Sequence, residues 1–214
     1  MVLVELGASE PSAENSRLDI LSAAADCFME RGYAATSIDD VARRLRATKG
    51  RIYHHFASKA DLFAQIFRTG MDFNYEVVAP FRGVGGTALD RWTGMAQAHT
   101  MQMIRTKPFQ RVVWEGVEMH LRGSTTPEQR SVFSELIEYR TSYGNIFRDE
   151  IDRARSEGDM RFDNLSIANQ LMFMTLNSPI FWYSQRSGEA ERDTRDIVDQ
   201  VVQFALRGLG GKTG

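Results

Sequence analysis

The sequence is poor in features that mark several other classes of protein. Its 214 residues include one cysteine, Cys27, so no intramolecular disulfide can form, which is typical of a reducing compartment. Lys and Arg number 26 against 28 Asp and Glu. The net charge of −2 excludes a uniformly basic nucleic-acid coat but leaves room for a local basic patch. With 43% hydrophobic and 25% charged residues, the chain is not disordered throughout and can bury a core.

No hydrophobic run is long enough to cross a membrane. The most apolar stretch, residues 171–183, is interrupted by Thr175, Asn177, Ser178 and Pro179, whereas a span needs roughly 18 apolar residues. The first ten residues have no basic group before their short apolar run, so we expect no signal peptide. The sequence therefore predicts a soluble, cytoplasmic protein without membrane contact.

The hydrophobic pattern is helical along the whole chain. Apolar residues recur at spacings of three and four, and no long run alternates strictly, which predicts an all-α fold. Helices are predicted over residues 16–31, 38–45, 49–56, 59–78, 88–105, 108–122, 127–156, 166–186 and 190–207.

Pro80 and the glycine-rich residues 83–86 make the strongest break in this pattern. The short helices before it, with a tight turn between the second and third, predict a helix-turn-helix. We predict a disordered tail over 1–15, a helix-turn-helix domain over 16–62, a larger all-helical domain over 63–207 and a flexible tail over 208–214.

Charge supports a DNA-binding role for the first domain. Residues 41–60 hold six basic side chains and no acidic one, and a phosphate-binding face needs such a patch. In the third helix, Gly50 allows close approach of a nucleic-acid backbone, and Arg51 can reach a base edge. Thr48 and Tyr53 can donate to phosphate oxygens.

Two segments, residues 36–42 and 48–62, resemble the DNA-binding domain of TetR-family transcriptional regulators. The run from Tyr53 to Leu62 is the most specific part, and the resemblance covers residues 17–67. It implies operator DNA as a partner, a homodimer and a C-terminal domain for a small effector. The candidate DNA contacts are Thr36, Ser37, Arg46, Thr48, Lys49, Gly50, Arg51, Tyr53, His54 and Lys59.

One residue departs from the family pattern. The family usually has glycine in the turn before the recognition helix, and here Arg46 occupies that place. A positive φ is costly for other residues, so we expect a differently shaped turn and an added phosphate contact from Arg46.

The same residues allow alternative interpretations. The basic run can be a solvated face, and Tyr53 can be a core aromatic. His54 and His55 do not suggest a metal site, because neighbouring residues on a helix point about 100° apart. We expect no metal and no cofactor.

The second domain contains polar residues on otherwise apolar helical stripes. They are His99, His120, Arg140 and Asn177. They can pair internally, with Arg140 bound to Glu115 or Glu118 and the histidines to backbone carbonyls. Alternatively they line a cavity for an elongated apolar ligand with a polar head. The candidate ligand-binding residues are Trp92, Met95, His99, Met103, Trp114, His120, Arg140, Tyr143, Phe147 and Asn177.

The last two predicted helices are the candidates for a dimer interface. Residues 167–183 are apolar on nearly every side, so we expect them to be buried on every side, in part by a partner subunit. A two-fold dimer would present two recognition helices to a pseudo-palindromic operator. The candidate interface residues are Phe173, Phe181, Trp182, Ile197, Val201 and Phe204.

The C-terminal half is similar to a TetR subgroup that includes repressors of steroid and fatty-acid catabolism. The similarity rests on residues 181–183, Gly188 and residues 207–209. It implies an acyl-CoA effector. No glycine-rich phosphate loop or metal-ligand spacing points to an enzyme. The sequence thus predicts a homodimeric repressor that a small hydrophobic effector releases from DNA. The alternatives are a drug-sensing regulator of efflux and a transcriptional activator.

Overall fold

The fold is described from a computed structural model for residues 13–123, 127–186, 188 and 190–211. These residues form helices and connecting loops, which confirms the all-α prediction. Within them, no helix combines the length and apolar character that a bilayer span requires. The helices are α1 (Ala13–Ala35), α2 (Ile38–Leu45), α3 (Lys49–His55), α4 (Lys59–Val78), α5 (Ala88–Arg105), α6 (Lys107–Arg122), α7 (Pro127–Glu157), α8 (Leu165–Asn177), α9 (Pro179–Trp182) and α10 (Glu191–Gly208).

Local side-chain caps fix where the short N-terminal helices begin. Ser37 accepts a hydrogen bond from the backbone N–H of Asp40, and the Asp40 carboxylate accepts one from the N–H of Ser37. Thr48 caps α3 and Ser58 caps α4 in the same way, without the reciprocal bond. Each cap satisfies a backbone donor that has no partner within its helix. The predicted starts of these three helices are therefore correct.

The predicted start of the first helix is wrong. Helix α1 begins at Ala13, so Ser16 lies inside it instead of capping it, and residues 13–15 of the predicted tail are helical. Residues 1–12 lie outside the described part of the chain. Near its other end, Gly32 has φ 76° and interrupts the helical geometry, as its position in the sequence predicts.

The C-terminal region also differs from the prediction. The single helix expected over 166–186 is two, α8 and α9, because Pro179 lacks the N–H that would continue the first. Gly208 belongs to α10, and Leu209 is buried and accepts a hydrogen bond from the N–H of Arg161 at 2.9 Å. The flexible tail predicted to begin at residue 208 is therefore anchored as far as Leu209, while residues 212–214 lie outside the described part.

Helices α1 to α3 form the head of the molecule, and α4 to α10 form its body. Helix α4 runs from the head into the body and packs closely on α6. A Cβ on Gly116 would lie 2.7 Å from the Phe67 ring, and one on Gly70 would lie 3.1 Å from Val113. Since such distances leave no room for a side chain, the two glycines bring α4 and α6 close together.

Candidate DNA-binding face and effector cavity

The turn between α2 and α3 keeps a left-handed residue although glycine is absent. Arg46 has φ 50° and ψ 41°, and its N–H bonds to the carbonyls of Ala42 and Arg43. It is the one non-glycine residue with positive φ among those described. The expected change in turn shape is therefore wrong, because the chain accepts the strain instead. The Arg46 side chain is exposed beside α3.

Helix α3 presents one face to the core and another to solvent. Ile52 and Phe56 are buried, as their spacing predicts. Tyr53 is 52% exposed, which rules out its interpretation as a core aromatic. Gly50 and His54 are exposed on the same helix. The solvent face of α3 thus carries the polar groups that a DNA-reading helix needs.

Two predicted DNA contacts form hydrogen bonds within the head instead. The Thr36 hydroxyl donates to the carbonyls of Cys27 and Gly32, and the residue is buried. The Lys59 ammonium donates to the carbonyls of Tyr33 and Thr36 at 2.8 and 2.9 Å and lies 4.4 Å from the centre of the Tyr33 ring. The assignment of Thr36 and Lys59 to the DNA face needs correction, because both side chains hold the end of α1 against α2 and α4.

Three other candidates have side-chain partners within the head. The Arg51 guanidinium donates to the Ser16 hydroxyl at 3.0 Å, and Lys49 forms an exposed ion pair with Asp39 at 2.8 Å. The Ser37 hydroxyl donates to Asp40 at 2.6 Å. An exposed ion pair contributes little to stability, so phosphate oxygens can replace Asp39 as the partner of Lys49. His54 and His55 stack edge to face, and no cluster of three metal-ligand side chains occurs in the described residues.

The body contains a cavity of about 260 Å³ between α4, α5, α6, α7 and α8. Six of the ten predicted ligand-binding residues line it, and they are His99, Met103, Trp114, Arg140, Tyr143 and Asn177. The lining residues that the sequence analysis missed are Met71, Asn74, Gln110, Val113, Thr141, Gly144, Asn145, Arg148, Ser166, Asn169, Gln170, Phe173 and Ile180. Asn74 and Gln110 were detectable by the same signal as Asn177, since they are amides within apolar helices.

Four predicted ligand-binding residues do not line the cavity. Trp92 and Met95 are fully buried in the core, and the Trp92 indole N–H donates to the sulfur of Met172 at 3.1 Å. Phe147 lies behind the cavity wall, with its ring centre 5.7 Å from that of His99. His120 lies in the last turn of α6, away from the lining. The helical stripe alone did not distinguish the core from the cavity wall.

His99 is a fully satisfied, neutral imidazole. Its Nδ1 lies 2.8 Å from the Tyr143 hydroxyl, and its Nε2 lies 2.8 Å from Oδ1 of Asn177. Since a carbonyl oxygen only accepts, Nε2–H donates to Asn177 and Nδ1 accepts from Tyr143. Burial lowers the pKa of His99 to about 4, and the nearby Arg140 charge adds to the effect. The backbone-carbonyl partners expected for this histidine are replaced by two side chains.

A second hydrogen-bonded pair joins α4 to α6 at the cavity wall. The amides of Asn74 and Gln110 donate to each other at 3.0 and 3.2 Å. Gln110 also donates to the carbonyl of Gly70 at 3.1 Å, where the two helices are closest. A ligand in the cavity therefore touches the contact between α4 and α6 directly.

Arg140 is a partly buried cation without an acidic partner. Within the described residues it has neither a hydrogen bond nor an ion pair, and burial lowers its pKa. The pairing with Glu115 or Glu118 is therefore wrong: Glu115 accepts from the backbone N–H of Tyr33 at 2.6 Å, and Glu118 pairs with Arg122. Since a buried charge is stable only when compensated, Arg140 marks where an acceptor or anion would bind.

An apolar groove follows the outer face of α8 and α10. Of the predicted interface residues, Trp182, Ile197, Val201 and Phe204 line this groove, and Phe204 is 71% exposed. Leu171 and Met174, which were missed, are exposed there as well. Phe181 lies elsewhere and packs edge to face on Trp114, with ring centres 5.1 Å apart.

Phe173 needs correction as an interface residue, because it is 8% exposed and forms part of the cavity wall. It lies on the inner face of α8, where its ring centre is 5.0 Å from that of Phe147. An apolar sequence on every side of the helix did not show which residues face outward.

Known proteins share this architecture along nearly the whole chain. The HTH-type transcriptional repressor KstR2 of Rhodococcus jostii strain RHA1 is 23% identical over 202 residues, which cover 90% of each chain. The ketosteroid transcriptional regulator KstR2 of Mycobacterium tuberculosis aligns with a TM-score of 0.76 and 22% identity over 96% of this chain and 99% of its own. AibR, solved with isovaleryl coenzyme A and operator DNA, aligns with a TM-score of 0.71 and 19% identity over 92% and 100%.

Two family profiles match the chain on either side of the break at residues 83–86. The profile of bacterial regulatory proteins of the tetR family matches residues 20–66, which contain α2, α3 and most of α1. The profile of the tetracyclin repressor-like C-terminal domain matches residues 85–209, more than half of the chain. The chain therefore belongs to the tetR family of bacterial transcriptional regulators.

Proposed function

We propose that the protein is a homodimeric, cytoplasmic repressor that binds operator DNA through α3 and releases it when an acyl-CoA enters the cavity. The observation that carries this proposal is the pairing of an exposed, polar α3 with a cavity of mixed polarity that contains an unpaired cation. The head supplies the DNA contact, and the body supplies a place for a ligand.

The DNA contact in this proposal uses the solvent face of α3 and the turn before it. Tyr53, Thr48 and Lys49 meet phosphates, while Arg51 leaves Ser16 to reach a base edge. Arg46 adds a cation at the turn. Dimerisation through the groove of α8 and α10 buries exposed apolar side chains and places two α3 helices on one operator.

The lining of the cavity favours an anionic effector over a cationic drug. It contains Arg140 and Arg148, and no Asp or Glu occurs among the described residues that line it. A hydrophobic cation would be repelled there, which argues against the role of drug sensor for efflux. Met71, Met103 and Ile180 supply the apolar surface for an acyl group.

Helix α4 connects the two sites. It begins at Lys59, directly after α3 and its loop, and reaches the cavity at Met71 and Asn74. A ligand that separates Asn74 from Gln110 shifts α4 relative to α6 and thereby changes the spacing of the two α3 helices. A coupling free energy of about 1–3 kcal/mol would change operator affinity roughly 5- to 150-fold.

The test is fluorescence anisotropy with labelled DNA from upstream of the protein's own gene, at one fixed salt concentration. Medium-chain, long-chain and steroid-derived acyl-CoAs are added, each beside its free acid. We expect specific binding that a thioester releases and its acid does not. Tyr53→Ala and Lys49→Ala should weaken operator binding. The control variant Arg192→Ala, which deletes an exposed charge on α10 of the body, should not. Unchanged affinity in both head variants would contradict the DNA-binding assignment.

A further inference from the structure

The charges around the cavity select the kind of anion that it holds. Arg140 and Arg148 lie eight residues apart on α7, which is about 12 Å along the helix axis. Arg148 donates to the Ser166 hydroxyl at 2.9 Å, and Ser166 is exposed, so the cavity has a mouth beside Arg148. Arg140 lies further in, close enough to the buried His99 for its charge to act on that imidazole.

The inner end of the cavity carries a single uncompensated positive charge. His99 contributes none, because burial keeps it neutral and both of its nitrogens are already bonded to Tyr143 and Asn177. A phosphate, with a charge near −2, would be left half-compensated here, because the other polar side chains around Arg140 are neutral. A carboxylate carries one negative charge and matches the planar guanidinium of Arg140.

The volume of the cavity limits what reaches Arg140. A cavity of 150 Å³ holds benzene, so about 260 Å³ holds roughly ten non-hydrogen atoms. A short acyl chain with a terminal carboxylate has this size, whereas the nucleotide of CoA must stay outside the mouth. The carboxylate that meets Arg140 is therefore at the far end of the acyl chain, since its near end is the thioester.

We propose that the effector is the CoA monothioester of a dicarboxylic acid, with its free carboxylate bound to Arg140. This inference rests on the proposed function and specifies its ligand. It differs from a plain fatty acyl-CoA sensor in requiring polarity at the buried end of the acyl chain. Arg148 at the mouth faces the negatively charged CoA.

Isothermal titration calorimetry on the full chain tests the inference without DNA. Hexanedioyl-CoA and octanedioyl-CoA are compared with hexanoyl-CoA, octanoyl-CoA and the free diacids. We expect at least one dicarboxylic thioester to bind at least about tenfold more tightly than its methyl-ended counterpart. Arg140→Gln should remove this preference, and the matched variant Arg148→Gln should keep it. Operator binding by both variants verifies that they fold.

Equal binding of the methyl-ended and carboxylate-ended thioesters would overturn the inference while leaving the acyl-CoA repressor intact. Failure of both dicarboxylic thioesters to bind would overturn it as well. If the free diacids bind as tightly as their thioesters, the carboxylate at Arg140 is supported, but CoA is not part of the ligand. That outcome would refute the thioester in the proposed function.

Discussion

In the head, the side chains that cap α2 to α4 find partners close by in sequence, whereas in the cavity polar side chains bond between helices that are far apart in sequence. Ser37 and Asp40, or Ser58 and Asp61, are three residues apart. His99 instead meets Tyr143 and Asn177, and Asn74 meets Gln110. The two regions also differ in pairing, because among the described residues the body leaves Arg140 and the buried side-chain oxygens of Thr100 and Asn169 without partners. In the described part of the head, buried polar side chains are thus paired without DNA, whereas the cavity keeps a cation free for a ligand.

The largest expected effect concerns pH and the buried cavity network. The His99 imidazole takes its proton near pH 6.5 in the unfolded chain but near pH 4 when folded. The unfolded chain therefore binds more protons in between, and stability falls as pH drops from about 6.5 to about 4. The loss is about 3 kcal/mol over this window. Urea denaturation at several pH values should show it, and His99→Gln should flatten this part of the profile.

A pair of lysines distinguishes structural from DNA-facing charge within the head. Lys59→Met removes two hydrogen bonds from an ammonium to carbonyls, and we expect a loss of about 1.5–3 kcal/mol in the free energy of unfolding. Lys49→Met, at an exposed ion pair, should leave stability nearly unchanged and weaken operator binding instead. Denaturant titrations and anisotropy on both variants measure this contrast. Equal stability of the two would show that Lys59 is not structural.

Arg140→Met should remove the difference between head and cavity, because the cavity then contains no unpaired cation. Removing an uncompensated, partly buried charge and adding apolar surface should raise the free energy of unfolding by about 1 kcal/mol. The variant should bind operator normally and no longer respond to the effector. A destabilised Arg140→Met would show that the guanidinium is paired in the folded protein, and thermal unfolding measures this directly.

The smallest expected effect is at the turn of the head. Arg46→Gly removes the cost of a left-handed residue, about 1 kcal/mol or more, but glycine also gains freedom in the unfolded chain. We expect a net stabilisation below about 1 kcal/mol. If Arg46 contacts phosphate, the salt dependence of operator binding should decrease by about one unit in slope. An unchanged slope would show that the side chain lies off the DNA.

The sequence predicted the head more accurately than the cavity because caps and turns are local. Ser37, Thr48 and Ser58 each satisfy a backbone N–H within one turn, so their positions set the helix starts directly. Lys59 was misassigned because its acceptors, the carbonyls of Tyr33 and Thr36, lie more than twenty residues away. Trp92 and Phe173 were misassigned for a similar reason, since a helical stripe shows what is buried but not whether a cavity or another helix covers it.

The sequence by itself determined the all-α fold, the start sites of α2 to α4, the basic third helix and the presence of polar groups in apolar helices. These features follow from spacing and capping, which act over one or two turns. Only the tertiary structure decided which polar groups share a cavity and which are left without a partner. Arg140 had two acidic residues available in sequence, yet Glu115 is committed to Tyr33 and Glu118 to Arg122. Pairing of this kind depends on how α1, α6 and α7 pack, and no local pattern encodes that choice.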